Sequence, residues 1–267
     1  MRLAHWLWGH KVKSTFLLIG LVVLIELASV PYFSIAAFKR ENPTETALMR
    51  QRSSEAAAAH KPYSVVQKWI PLSRIPRHVV DAVVVAEDGT FFTHGGVDWF
   101  EVEASLQKDI RQHRAARGAS TITQQVAKNL FLSTSKDPVR KLKELLITLL
   151  LEHELGKNRI LEIYLNIIEW GRGLFGIEAA SERYFGKSAD ALTLDEAARL
   201  AAVIPSPLAH RPDVESKYLE RRTGIVMARM AARNMIPGVE PSSVSVAEDS
   251  TEFDEVPAPE GDSTREF

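Results

Sequence analysis

The first residues that could do chemistry are two adjacent carboxylates, Glu87 and Asp88, which stand between an apolar stretch and paired glycines. Neighbouring carboxylates can raise each other's pKa, and a carboxyl group with a raised pKa suits a general base. A solvated acidic turn is the plainer interpretation, and this segment taken alone favours it. The pair is therefore a candidate base that needs support from elsewhere in the chain.

A second candidate segment runs from Gly118 to Leu132 and is rich in uncharged hydrogen-bonding side chains. The polar residues, with the cation that follows them, are Ser120, Thr121, Thr123, Gln124, Gln125 and Lys128. Such a surface could bind a sugar or an amide-rich ligand, and the lysine could meet an anion. The alternative is an ordinary helix with a Ser or Thr as its N-cap.

A third segment places three cations, Arg140, Lys141 and Lys143, where a helix is predicted to begin. Cations at a helix N-terminus oppose the macrodipole, and this cost makes sense if a phosphate group binds there. A solvated charged face is the alternative. The nearby Glu144 could hold a metal ion on the same phosphate groups, or it could keep the cations apart.

The elements that must position these residues are mostly helical. The segment from Val139 to Leu155 has one apolar face with the helical repeat, formed by Leu142, Leu145, Leu146, Leu149 and Leu150. Further helical segments are predicted at 158–168 and 195–203. The run from Val83 to Ala86 can continue a helix from Pro76. The sequence thus predicts a mainly α fold with little or no sheet.

An N-terminal membrane anchor is predicted from an almost unbroken apolar run, Ser14 to Phe38. As a helix this run would be about 37 Å long, enough to cross a bilayer core of about 30 Å. A cleaved signal peptide is the alternative, but its apolar stretch would be unusually long. Glu26 within the run indicates either a helix–helix contact or a position near the membrane edge.

The rest of the chain is divided by composition. Residues 39–62 are polar and alanine-rich and are predicted to be a juxtamembrane linker or a short helix. Residues 63–236 hold most of the remaining apolar residues and form the predicted folded domain. Residues 237–267 are acidic and poor in apolar residues, so they are predicted to be a disordered tail.

Composition excludes several classes of function. The 267 residues carry 33 Lys and Arg against 34 Asp and Glu, so nothing in the charge balance indicates a nucleic-acid partner. The absence of cysteine excludes disulfides, thiolate zinc sites and a cysteine nucleophile. The stretch from Gly171 to Gly176 matches GxGxxG, but a helical segment precedes it, which favours a structural turn over a nucleotide site.

Four motifs follow one another in the chain and belong together. They are Glu87-Asp-x-x-Phe-x-x-His-x-Gly96, Gly118-x-Ser-Thr-Ile-Thr-Gln-Gln-x-x-Lys-Asn129, Arg140-Lys-x-x-Glu144 and Arg159-Ile-Leu-Glu-x-Tyr-Leu-Asn166. Their order resembles the peptidoglycan glycosyltransferases of the penicillin-binding proteins, over about Trp69 to Asp213. The resemblance implies a mainly α, lysozyme-like glycosyltransferase domain behind a single N-terminal transmembrane helix, with no transpeptidase domain.

The family activity implied by the resemblance is the polymerisation of lipid II into β-1,4-linked glycan strands, with release of undecaprenyl pyrophosphate. Glu87 matches the catalytic glutamate, which acts as the base, and Asp88 would tune or orient it. Three cations match the role of offsetting the charge of the leaving group: Lys128, Arg140 and Lys141. Glu144 matches the second glutamate of the family and is expected near the pyrophosphate.

The remaining motif residues are expected to bind substrate or to support the site. Ser120, Thr121, Gln124 and Gln125 would line the sugar–phosphate groove. His94 and Phe91 would shape the first motif rather than perform chemistry. No cofactor is obligatory by resemblance, but a divalent cation, Mg²⁺ or Mn²⁺, could sit at the pyrophosphate with Glu144 as its only protein ligand.

The resemblance also implies a location and partners. The protein would be a single-pass protein of the cytoplasmic (inner) membrane, with residues 1–13 in the cytoplasm and the catalytic domain outside. Its partners would be lipid II, the growing glycan strand and the membrane, with cell-division or elongation proteins as further candidates. A lipid-linked substrate also requires an apolar face that reaches the bilayer, expected after Phe131 or around Ile110. One departure from the family is Gly156, where a serine is common.

Two other functions stay open at this stage. A lysozyme-like or lytic enzyme would cleave peptidoglycan, but its neutral glycosidic bonds have no use for the cluster of Lys128, Arg140 and Lys141. A non-catalytic, membrane-anchored partner of cell-wall assembly would be expected to have lost Glu87 or Glu144, and both are present.

Overall fold

Helices form most of the described structure, which confirms the mainly α prediction. The computed structural model describes residues 29–112, 120–132 and 138–236, residue 134, and scattered positions between 13 and 26. The helices in these residues are α1 (Tyr32–Ala37), α2 (Ala47–Ala58), α3 (Arg77–Glu87), α4 (Trp99–Gln112), α5 (Ile122–Phe131), α6 (Pro138–Leu155), α7 (Lys157–Ile167), α8 (Ile177–Phe185), α9 (Leu194–Val203) and α10 (Lys217–Ala232). Two short 3₁₀ turns lie at Leu72–Arg74 and Ala189–Ala191.

A small sheet accompanies the helices. Its strands are β1 (Val66–Gln67), β2 (Glu169–Gly171) and β3 (Leu174–Phe175), in the order β1-β3-β2. β3 pairs parallel with β1 and antiparallel with β2. The turn of this hairpin needs Gly173, which has φ of +72° and whose added Cβ would lie 2.2 Å from the Ser64 carbonyl oxygen. The GxGxxG stretch is therefore a hairpin, as the turn interpretation predicts.

The core is one continuous cluster of buried apolar residues, and α3 lies within it. α3 is rich in β-branched valines, which lower helix propensity, but it packs against α9 and α10. Burial of its valines outweighs their weak helix preference. The helix that the sequence predicts from Pro76 thus continues to Glu87 and ends at Asp88, which adopts a non-helical φ of −160°.

The buried face of α6 differs from the one predicted. Ile147 and Leu151 are fully buried, whereas Leu142 and Leu149 of the predicted apolar face are 54% and 48% exposed. The helix packs against α5 and α7 through the neighbouring stripe, which includes Glu144. A run of leucines predicts an apolar face, but the adjacent helices decide which side is covered.

The segment before the domain is partly folded onto it. Within residues 39–62, α2 begins after Thr46, whose side chain accepts from the Met49 N–H at 3.1 Å. α2 packs against α5, and Arg52 Nε donates to Glu169 at 2.9 Å. Of the two interpretations of this segment, the structure has the short helix, and that helix is attached to the domain.

The predicted anchor and tail fall largely outside the described residues. Of residues 14–38, those from Ser29 onwards form a turn followed by α1, where Ile35 is fully buried. Within the part of the chain that the structure describes, no helix has the length and apolar character needed to cross a membrane. The spanning helix therefore stays a prediction. The tail at 237–267 lies outside the described residues.

Candidate active site

Glu87 is placed at the C-terminal end of α3, where its partly buried side chain meets α5. Its Oε2 accepts a hydrogen bond from Gln125 Nε2 at 2.8 Å. The amide partner is neutral, so it holds the carboxylate without fixing its charge by ion pairing. This geometry leaves Glu87 able to take up a proton.

Burial raises the pKa of Glu87, because the charged carboxylate loses water. The hydrogen bond from Gln125, the charges of Arg222 and Lys128 and the nearby Tyr164 hydroxyl act in the opposite direction. The leading cause is thus burial, rather than the adjacent Asp88 carboxylate that the sequence interpretation invokes. A carboxyl group with a raised pKa is a more effective general base near neutral pH.

Asp88 supports the site from within the protein. It is 8% exposed, and its oxygens accept from His94 Nε2 at 2.9 Å and from the backbone N–H of Ile122 at 3.0 Å. His94 Nδ1 accepts from the Gly96 N–H at 3.1 Å, so the neutral imidazole carries its proton on Nε2. Asp88 therefore ties the first motif to the start of α5, the helix that carries Gln125.

Phe91 also lies inside the first motif, where it is fully buried. Its ring meets Phe92 and His94 edge to face, and Lys157 Nζ lies 4.4 Å from its centroid. A ring without solvent contact cannot touch a ligand in this conformation. Phe91 and His94 thus pack together inside the first motif, and their shaping role stays a prediction.

The polar segment before and within α5 divides into two groups. Thr121 is the N-cap, and with Gln124 it forms a capping box: Thr121 Oγ1 accepts from the Gln124 N–H at 3.2 Å, and Gln124 Oε1 accepts from the Thr121 N–H at 3.0 Å. Both are buried, and Thr121 also donates to the Gly96 carbonyl at 2.6 Å. Their side chains are thus used by the helix, whereas Ser120 is exposed and Gln125 reaches Glu87.

A cation cluster lies beside this helix, formed by Lys128 from the last turn of α5 and Arg140 and Lys141 from the first turn of α6. Burial lowers the pKa of Lys128, and the charges of Arg140 and Lys141 lower it further, while Glu144 acts in the opposite direction. The three cations that the sequence predicts to share a task are therefore within electrostatic reach of one another. An anion placed among them would relieve their repulsion.

Glu144 holds the cation cluster together. Its side chain is 4% exposed and accepts from Arg140 Nη1 at 2.7 Å and from Lys141 Nζ. These two ion pairs are the contacts that the role of keeping the cations apart would require. Across the described residues, no three His, Cys, Asp or Glu side chains come together as a metal site. One carboxylate already paired with two cations does not fit a divalent cation.

Two residues of the site were missed by the sequence interpretation. Tyr164 of α7 is fully buried, and its hydroxyl donates to Gln125 Oε1 at 3.2 Å. Arg222 of α10 lies near enough for its charge to lower the pKa of Glu87. Tyr164 belongs to the fourth motif, which was noticed without a role, while Arg222 comes from a distant helix and gave no local signal.

Comparisons with known proteins give the family of this chain. The family described as Transglycosylase matches residues 54–231. A biosynthetic peptidoglycan transglycosylase from Herminiimonas arsenicoxydans is 40% identical over 225 residues, which cover 84% of this chain and 97% of the relative. A protein of the same name from Aromatoleum aromaticum is 45% identical over 191 residues, covering 71% and 83%. This chain therefore belongs to the transglycosylase family, whose members are glycosyltransferases.

Proposed function

We propose that this protein polymerises lipid II into β-1,4-linked glycan strands and releases undecaprenyl pyrophosphate. The observation that carries the proposal is that one helix, α5, contacts the proton acceptor Glu87 of α3 and also contributes a lysine to the cation cluster. Gln125, which contacts Glu87, and Lys128 of the cation cluster lie one turn apart on α5. Transfer of a sugar from a pyrophosphate needs a base for the attacking hydroxyl and positive charge for the leaving pyrophosphate.

In this mechanism the 4-hydroxyl of the acceptor's N-acetylglucosamine attacks the anomeric carbon of the donor chain. Glu87 takes the hydroxyl proton as the new carbon–oxygen bond forms. The bond to the pyrophosphate oxygen breaks on the opposite side, and the pyrophosphate leaves with the bonding electron pair. Attack from the face opposite the leaving group turns the α linkage into a β linkage.

The leaving pyrophosphate carries negative charge and needs compensation rather than a proton. Lys128, Arg140 and Lys141 would provide that compensation, while Glu144 pairs with Arg140 and Lys141 and holds them in place. Ser120 would line the sugar–phosphate groove directly. Thr121 and Gln124 would support it through the capping box.

We propose a lysozyme-like domain on the outer side of the cytoplasmic membrane, behind a single spanning helix with the N-terminus in the cytoplasm. Two observations support a membrane-facing surface. At the start of α4, Trp99 and Phe100 are 68% and 79% exposed. Lys143 Nζ of α6 lies 3.3 Å from Oε2 of Glu26, a residue of the proposed span. Besides lipid II and the glycan strand, cell-division or elongation proteins are candidate partners.

The test is polymerisation of labelled lipid II by the purified full chain in detergent, with Glu87→Gln beside it. We expect glycan strands from the wild type and at least a 10²-fold slower reaction from the variant, since general base catalysis contributes about 10² to 10⁴. The matched control is Glu182→Gln, which removes a carboxylate that pairs with Lys68 at the surface. This control is expected to retain wild-type activity.

Other outcomes would contradict the proposal. Shortening of preformed strands would identify a lytic enzyme, although neutral glycosidic bonds give no role to the cation cluster. Binding of lipid II without polymer, by the wild type and the variant alike, would favour a non-catalytic partner of cell-wall assembly.

A further inference from the structure

The Gln125 side chain is held at both ends, by a carboxylate and by a phenol. Its Nε2 donates to Glu87 at 2.8 Å, and its Oε1 accepts from the Tyr164 hydroxyl at 3.2 Å. We propose that Tyr164 is a positioning residue, which fixes the Gln125 amide so that its NH₂ group faces Glu87 and keeps this carboxylate ready to accept a proton. The inference rests on the proposed function, in which Glu87 is the base.

The two ends of the amide are not equivalent toward Glu87. An ionised carboxylate can only accept hydrogen bonds, so it needs the NH₂ end of Gln125. If the amide were reversed, its oxygen would oppose the carboxylate, unless Glu87 carried a proton and donated it. One orientation thus favours the ionised base, and the other favours the spent, protonated form.

Tyr164 selects between these orientations. Its ring is fully buried in α7, so its hydroxyl has no water as an alternative partner and donates to the amide oxygen. Donation to that oxygen also polarises the amide and strengthens the bond from its NH₂ group to Glu87. The tyrosine thereby acts on the base through an intermediate side chain.

Other charged groups face Glu87 from the surrounding helices and set the background. Arg222 of α10 and Lys128 of α5 both favour the ionised carboxylate. The Tyr164 hydroxyl also lies within hydrogen-bonding reach of Glu87. The experiment must therefore separate an effect through Gln125 from a direct effect on Glu87.

The test is the pH profile of lipid II polymerisation by Tyr164→Phe, which keeps the buried ring and removes only the hydroxyl. We expect kcat/KM to fall about tenfold on the acidic limb and to recover close to the wild-type value at higher pH, because the base is ionised less readily. The matched control is Tyr184→Phe. It removes a hydroxyl that donates to the Trp170 carbonyl at 2.9 Å rather than to Gln125 or Glu87. This control should leave the acidic limb of the pH profile unchanged.

A second comparison tests the route. In a Gln125→Leu background, Tyr164→Phe should produce no further shift, because the amide that transmits its effect is absent. A further shift in that background would overturn the relay and assign a direct bond instead. A uniform loss at every pH would also overturn the inference, since it would indicate a merely structural tyrosine.

Failure of the inference is distinguishable from failure of the proposed function. If the wild type polymerises lipid II and Tyr164→Phe leaves the acidic limb of the pH profile in place, the inference alone is overturned. A wild type that makes no strands at any pH overturns the proposed function and the inference together.

Discussion

Glu87 and Glu144 are both withdrawn from water, but they are held by opposite kinds of partner. Glu87 accepts from the neutral amide of Gln125, whereas Glu144 accepts from the cations Arg140 and Lys141. A carboxylate with a neutral donor can gain a proton without breaking an ion pair. A carboxylate between two cations cannot leave them without breaking two ion pairs. Both side chains lose water, so their partners are what distinguish the proposed proton acceptor from the carboxylate that pairs with the cations.

The largest expected effect separates the two glutamates by stability. Glu144→Gln should lower the free energy of unfolding by about 3 kcal/mol, because it leaves Arg140 and Lys141 without their shared carboxylate in a partly buried site. Glu87→Gln should leave stability unchanged or raise it slightly, because it removes a charge that burial disfavours. Denaturant unfolding of the full-length variants in detergent would measure both.

Equal losses of stability in Glu144→Gln and Glu87→Gln would contradict the difference drawn between the two glutamates. The control is Glu182→Gln, whose ion pair with Lys68 is exposed and should contribute less than about 1 kcal/mol.

A smaller effect is expected at Lys128 of α5, which belongs to the cation cluster. Lys128→Met keeps a long unbranched side chain but removes a charge that burial and two neighbouring cations disfavour. We expect stability to be retained or raised by about 1 kcal/mol. Polymerisation should nevertheless slow by about 10²-fold, because one stabiliser of the leaving group is lost. Denaturant unfolding and lipid II polymerisation, measured on the same preparation, would test whether activity falls while stability does not.

A loss of stability in Lys128→Met would show that the lysine has a structural role. Retained activity would remove it from the anion site. Retained activity would thus narrow the proposed cation cluster to Arg140 and Lys141.

The sequence predicted the mainly α fold, and it selected candidate site residues, because both signals are local. Helical repeats predicted the mainly α fold, and ordered motifs brought together Glu87, Lys128 and Glu144. Local patterns failed where a neighbouring element decides the outcome. The leucine face of α6 is partly exposed because α5 and α7 cover the adjacent stripe.

The same limit applies within the site. Thr121 and Gln124 look like ligand-binding residues in a polar run, but only the helix start reveals that they bond to each other. The effect of Arg222 on Glu87 joins residues more than 130 positions apart in the chain. No spacing rule connects such residues, so only the packed structure could bring Arg222 and Tyr164 into the site.

The smallest expected effect is the pH dependence of stability that Glu87 imposes. Its pKa is raised in the folded protein, so the folded state holds this proton more firmly than the unfolded chain does. Between the ordinary glutamate pKa of about 4.3 and the raised folded value, the folded state binds more protons, and stability falls as pH rises. The favourable contribution is therefore fully present below the ordinary pKa and is lost as pH rises through the folded pKa. Glu87→Gln has no such proton to lose, so the stability of the variant relative to the wild type should increase across this window. Unfolding curves at a series of pH values would measure the difference, and a constant or declining difference would contradict a base held in its neutral-donor environment.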